Sequence, residues 1–163
     1  MSLVENKKLI YRYLSEISDP EIPVINIVEM GVVRDVLFHG SKLEIKLTPT
    51  YSGCPAMDMI HQLVEEKLHS KGYNSVVVTL VYKPAWTTDW MSDETKEKLA
   101  RYGIAPPVGK VASKKTLLNN EHVSCPQCGS KNTEMKSMFG STACKALFVC
   151  KKCLEPFDYF KCI

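Results

Sequence analysis

Apolar residues near the start of the chain recur at helical spacing. Leu9, Ile10, Tyr13, Leu14 and Ile17 share one stripe of a helix predicted over 3–18. Ser18-Asp19-Pro20-Glu21 ends it, because the residue before a proline is driven out of helical geometry. The period then changes. Val32 to Phe38 is rich in β-branched residues, His39-Gly40-Ser41 reads as a hairpin turn, and the return strand alternates Leu43, Ile45 and Leu47 with Glu44, Lys46 and Thr48. Helical spacing returns after Pro55 at Ile60, Leu63, Val64 and Leu68, and Gly72 closes that helix. Ser75 to Tyr82 is almost continuously apolar and is expected as a central strand. Ser92 caps a third helix with Asp93 and Glu94 in its first turn, and Gly103 stops it. The order α-β-β-α-β-α predicts a small α+β domain with a three-stranded mixed sheet over residues 1–105.

A second pattern begins downstream. Pro106, Pro107, Gly109 and Lys114-Lys115 mark residues 106–122 as a linker. Residues 123–163 then carry Cys125-x-x-Cys128 and Cys150-x-x-Cys153, separated by twenty-one residues. Two such knuckles supply four thiolates at the spacing of a zinc ribbon, with zinc as structural cofactor. Iron in a rubredoxin-like site is the alternative that composition alone does not separate. Gly129 permits a left-handed residue after the first knuckle, whereas Leu154 stands at that place in the second. Ala146 to Val149 is expected as a strand leading into Cys150. So small a module cannot bury enough apolar area alone, so the metal should supply folding energy. Cys144 and Cys162 are extra: each is a candidate further ligand or a small buried apolar residue.

The 163 residues suffice for one domain of about a hundred residues plus that module. The longest apolar run is far too short for a bilayer, and no signal-peptide pattern opens the chain. Seven cysteines, an odd number with four in C-x-x-C pairs, fit a reducing cytoplasm better than a disulfide framework. Charge is uneven: residues 1–108 hold 12 Lys/Arg against 14 Asp/Glu, a balance of −2, while 109–163 hold 9 against 4, a balance of +5. A basic ribbon could meet nucleic acid or an acidic protein surface, and the acidic first domain argues against nucleic acid.

Cys54 is the thiol left over. It falls at the N-cap of the second helix with Pro55 at N1, facing unpaired backbone N–H groups and the positive end of the helix dipole. That setting is expected to lower its pKa. Thr48, Thr50, Tyr51 and Ser52 could surround the sulfur with hydroxyls, and Gly53 leaves its approach open. His39, His61, His69 and His122 offer no well-placed base, which favours metal handling over hydrolysis. Asp19, Glu21 and Glu29 form an acidic cluster expected near the same loop. Trp86 and Trp90 are read as core residues or docking anchors.

At these residues a family emerges. DPEIPVINIVEMG, TPTYSGCPA and KPAWTTDWMS resemble the iron–sulfur cluster assembly domain of SufT-like proteins. The fuller strings TPTYSGCPAM, PAWTTDWMS, YGIAPP and FGSTACKALFVC, with the terminal ribbon, are similar to the PaaD family. These are small accessory subunits encoded with the multicomponent phenylacetyl-CoA epoxidase of aerobic phenylacetate degradation. The resemblance spans about Ile10 to Phe160. It implies a cytoplasmic, non-catalytic helper whose partners are the reductase and oxygenase components and which assists cluster assembly in the reductase. It also implies that Asp19, Glu21, Thr48, Thr50 and Cys54 are motif residues, with Cys54 the reactive cysteine that transiently meets iron or a cluster. Cys125, Cys128, Cys150 and Cys153 match the ribbon cysteines, and Cys144 a further cysteine of the family's tail. Lys83 stands where the wider family often has an acidic residue.

The alternative is a stoichiometric subunit that bridges oxygenase and reductase without handling clusters. A thiol enzyme and a nucleic-acid-binding ribbon are further classes. The sequence is also compatible with a homodimer, and it shows no di-iron carboxylate set, flavin fingerprint or nicotinamide fingerprint.

Overall fold

The computed structural model describes residues 3–108 and 123–161. It divides into two compact units, Met1–Trp86 and Thr87–Ile163. The first contains α1 (Leu3–Leu14), β1 (Val33–His39), β2 (Lys42–Leu47), α2 (Ala56–Ser70) and β3 (Val76–Leu80). The second contains α3 (Asp93–Tyr102), β4 (Ile104–Ala105), β5 (Thr133–Ser137), β6 (Lys145–Cys150) and β7 (Pro156–Phe160). The predicted order of elements and the α+β class hold. Helix α1 ends at Leu14, before the Ser18 expected, and Ile17 is buried beyond it.

In the first unit the sheet order is β1-β2-β3, with β1 antiparallel and β3 parallel to β2. The mixed sheet follows from the connections: Gly40 at φ 63° makes a tight hairpin, while α2 is the crossover between two parallel strands. One face is buried under the helices, α1 against β1 and α2 against β3. Leu43, Ile45 and Leu47 point into that core with Ile10, Leu14, Ile60, Val64 and Leu68. Strand β3 corrects the sequence reading. It lies at the sheet edge, half-exposed, because its apolar side chains meet α2 on one face while, among the described residues, no further strand follows it.

In the second unit the order is β4-β7-β6-β5. Phe148 stacks on Phe157 at 5.8 Å between centroids and meets Tyr159 edge-on at 5.5 Å. Ser92 caps α3 by accepting the Thr95 N–H at 3.1 Å, and Gly103 at φ 95° terminates it. Compact packing thus divides the chain differently from the expected 1–105 and 123–163: Ile104 and Ala105 pair with Asp158 and Tyr159 of β7. From residue 109 the expected linker lies outside the described residues, as does Cys162.

Candidate functional site: a half-buried thiol and a four-sulfur centre

The Cys54 site is built where β2 gives way to α2. Thr48 is buried and donates its N–H to the Val32 carbonyl at 2.9 Å, fixing the start of the loop. Gly53 takes φ 79°, which turns the chain toward the helix. Pro55 already has helical dihedrals, φ −69° and ψ −20°, and offers no side-chain cap. Cys54 performs that role: its carbonyl accepts the Met57 N–H at 3.3 Å, and its sulfur accepts the Ala56 N–H. Tyr51 and Thr50 also hydrogen-bond the sulfur, and Glu21 is close enough for its charge to act on it.

The expected ionisation does not follow from this geometry. Burial pushes the Cys54 thiol above its ordinary pKa, outweighing the Ala56 amide; the Glu21 charge adds to the rise, while Tyr51 and Thr50 oppose it. Cys54 is half-buried. The resting side chain is a protonated thiol cradled by donors, not the exposed thiolate anticipated from helix position alone.

The acidic cluster separates into two roles. Asp19 is buried, and its Oδ1 accepts the N–H groups of Glu21 and Ile22 at 2.9 and 2.8 Å, an Asx-type turn that shapes the loop. Glu29 accepts from the backbone and side-chain nitrogens of Asn26 at 3.0 and 2.8 Å, holding the next turn. Glu21 is the member whose charge reaches Cys54. Trp86 takes the first of its two expected roles, that of a core residue. It is buried in the first unit with its indole N–H donated to the Met30 carbonyl at 2.9 Å, which makes it an anchor of the fold rather than a docking surface. Trp90 is half-buried at the end of a short 3-10 turn, Thr88–Trp90.

In the second unit the sulfurs of Cys125, Cys128, Cys150 and Cys153 all lie within 4.8 Å of one another. Cys125 and Cys153 are 3.7 Å apart, and Cys128 and Cys150 3.6 Å. Tetrahedral zinc at about 2.3 Å from each sulfur requires edges of about 3.8 Å, so the four residues fit the metal. Lys152 and Cys153 donate backbone N–H groups to the Cys150 sulfur at 3.4 and 3.5 Å, which balances thiolate charge. Cys144 does not join them; its thiol is buried against the Thr142 hydroxyl at 3.0 Å, a correction to its candidacy as a further ligand.

The two knuckles repeat one backbone pattern. Gly129 N–H bonds the Cys125 carbonyl as Leu154 N–H bonds that of Cys150, both at 2.9 Å. Cys125 and Cys150 donate in turn to Ser130 and Glu155. Gly129 sits at φ 70° and Leu154 at φ 65°, so the leucine adopts a conformation that suits glycine. A left-handed side chain costs about 1–2 kcal/mol. Leu154 is 75% exposed, so little burial offsets that cost. Leu154→Gly is expected to stabilise the metal-loaded ribbon by about 1 kcal/mol, read as a higher thermal midpoint at saturating zinc. An unchanged or lower midpoint would show that the leucine is unstrained.

The comparisons with known proteins follow this division. Residues 7–80 match the family model of an iron–sulfur cluster assembly protein, and residues 109–161 match that of the PaaD zinc beta ribbon domain. A putative subunit of the 1,2-phenylacetyl-CoA epoxidase of Escherichia coli is 50% identical over 154 residues, covering 94% of this chain and 92% of its own length. The chain belongs to the PaaD family. An Fe-S protein maturation auxiliary factor from Porphyromonas gingivalis is 34% identical over 98 residues, 59% of this chain and 92% of its own. Among solved structures, a domain of unknown function from Bacillus anthracis is 29% identical, with a TM-score of 0.54, covering 59% of this chain and 92% of that one. PaaD membership thus joins an assembly-type domain to a zinc-type ribbon in one polypeptide. Among the described residues no helix is long and apolar enough to cross a membrane.

Proposed function

We propose that this protein is a non-catalytic accessory factor of a phenylacetyl-CoA epoxidase system, in which Cys54 transiently holds iron or a nascent iron–sulfur cluster bound for the reductase component. The accessory role rests on family membership and on the E. coli relative. The cluster role rests on one observation: the single thiol of the first unit is cradled by the Ala56 amide, Thr50 and Tyr51, within reach of the Glu21 charge. A lone thiol can occupy one ligand position, where a cluster ordinarily takes about four. Delivery therefore needs ligands from the client, which suits transfer better than storage. Loading replaces the thiol proton by metal, so the raised pKa makes the empty site inert and the loaded one pH-dependent. A cytoplasmic location goes with this reading.

The raised thiol pKa also favours the second reading, a subunit that only bridges oxygenase and reductase. Cys54→Ala separates the two. On the transfer reading the variant keeps its fold and ribbon zinc, while the reductase matured beside it loses most of its cluster, measured as iron and acid-labile sulfide per reductase. Full cluster content beside the variant, with the complex still assembled, leaves the bridging role.

A further inference from the structure

The sheets blunt their open edges in three places and leave one bare. Strand β1 breaks register between Val33 and Asp35 and carries Arg34 and Asp35, the latter paired with Lys7 at 3.3 Å. Strand β5 breaks register between Met135 and Ser137 and carries Glu134 and Lys136, ion-paired at 3.1 Å. Strand β4 is two residues long. Bulges, charges and brevity are the devices that keep an edge from pairing with another chain. Strand β3 has none of them. Its register with β2 is unbroken, its sequence Val-Val-Val-Thr-Leu holds no charge or proline, and the elements packed on it are β2 and α2.

The direction of its amides follows from its bonds to β2. Leu43 donates to the Ser75 carbonyl, and Val81 donates to the Leu47 carbonyl, each at 2.8 Å. Peptide groups alternate sides along a strand, so residues 75, 77, 79 and 81 face β2 while Val76, Val78 and Leu80 present theirs outward. Among the described residues no hydrogen bond engages those three outward sets.

We propose that the β3 edge is a self-association surface, on which β3 of a second copy pairs antiparallel about a two-fold axis through Val78. In that register Val78 faces the partner's Val78, and Val76 faces the partner's Leu80. Each pair exchanges both backbone bonds, so every outward N–H and C=O is matched. A two-fold interface sets a patch against itself, and the uncharged strand brings no like charges together. Exposed Tyr82 comes opposite exposed Asn74 at both ends. The register leaves none of the strand's outward groups unmatched, and the strand carries no charge to repel its own copy, which are the two conditions a second copy must meet.

The test is sedimentation velocity of the zinc-loaded full chain over a concentration series, with amide hydrogen exchange read at single residues. The expected result is a monomer–dimer transition in which Val76, Val78 and Leu80 exchange roughly tenfold more slowly once about nine-tenths is dimer, since exchange then runs through residual monomer. Val77 and Thr79, bonded to β2, stay unchanged. Val78→Pro removes an N–H that points outward, a place where an edge strand tolerates proline, so it is expected to abolish the dimer while zinc content and circular dichroism persist. Three results overturn the proposal: a monomer at all concentrations, a dimer whose three amides exchange at the monomer rate, or protection that arises only with a foreign strand. The exchange measurement decides even if the proline variant misfolds, and none of these outcomes depends on Cys54.

Discussion

Removing zinc is expected to unfold residues 123–161 while the helices and sheet of the first unit stay folded. The ligands are not attached to a finished core; they form part of it. Cys125 and Cys150 are buried in one cluster with Ala105, Val123, Ala146, Phe157 and Tyr159, and Cys153 packs against it. Without metal Cys150 and Cys153 are pushed in opposite directions. Amides of Cys153 and Lys152 hold Cys150 down at about 6. Cys153 is helped by the Glu155 amide, yet burial and its neighbouring sulfurs push it up to about 12. At neutral pH the metal-free module therefore keeps a proton on Cys153, and ligation must displace it. Structural zinc in small modules contributes about 10–16 kcal/mol, as much as the whole stability of a typical domain. Chelation is read by hydrogen exchange: β5, β6 and β7 should lose protection while α2 and β2 keep theirs. Acidification should act in the same direction, because each bound thiolate must regain a proton, so zinc affinity falls as pH falls. Retained protection of β6 and β7 in metal-free protein would refute the dependence.

Legibility differed between these two regions for physical reasons. Ribbon ligands, the Gly40 hairpin and the Ser92–Gly103 helix caps are local, short-range requirements, so their spacing carried through to the fold. Strand β3 did not, since continuous apolar character reports burial on the faces and says nothing of which neighbour is missing at the edge. Cys54 was placed correctly at the helix start from Gly53 and Pro55, yet its ionisation was misjudged. The Glu21 charge comes from a loop more than thirty residues away in sequence, and burial together with that charge outweighs the local amide. Leu154 shows the reverse case: the missing glycine was visible, but only the ligand geometry shows that leucine takes the glycine conformation.

Trp86→Ala is expected to cost the first unit about 3–5 kcal/mol, the range for deleting a buried aromatic side chain, which approaches the whole stability of a modest domain. Trp86→Phe separates the contributions: it keeps most of the ring volume but strands the buried Met30 carbonyl, for about 1–3 kcal/mol. Urea midpoints of the three proteins check both values. The reach of the substitution follows from what Met30 belongs to. Its N–H closes a turn on the Asn26 carbonyl at 2.9 Å, Glu29 braces that turn through Asn26, and Ile25 accepts the Asp19 N–H at 2.9 Å. The tryptophan thus pins the loop that Asp19 folds and from which Glu21 acts on Cys54. If the loop loosens, the Glu21 charge moves off and water enters, two changes that both lower the Cys54 pKa. Alkylation of Cys54 at neutral pH should accordingly run faster in Trp86→Ala than in the parent, and nearly at the parent rate in Trp86→Phe. A stability loss below about 1 kcal/mol combined with weakened binding to the epoxidase components would instead make Trp86 a docking residue.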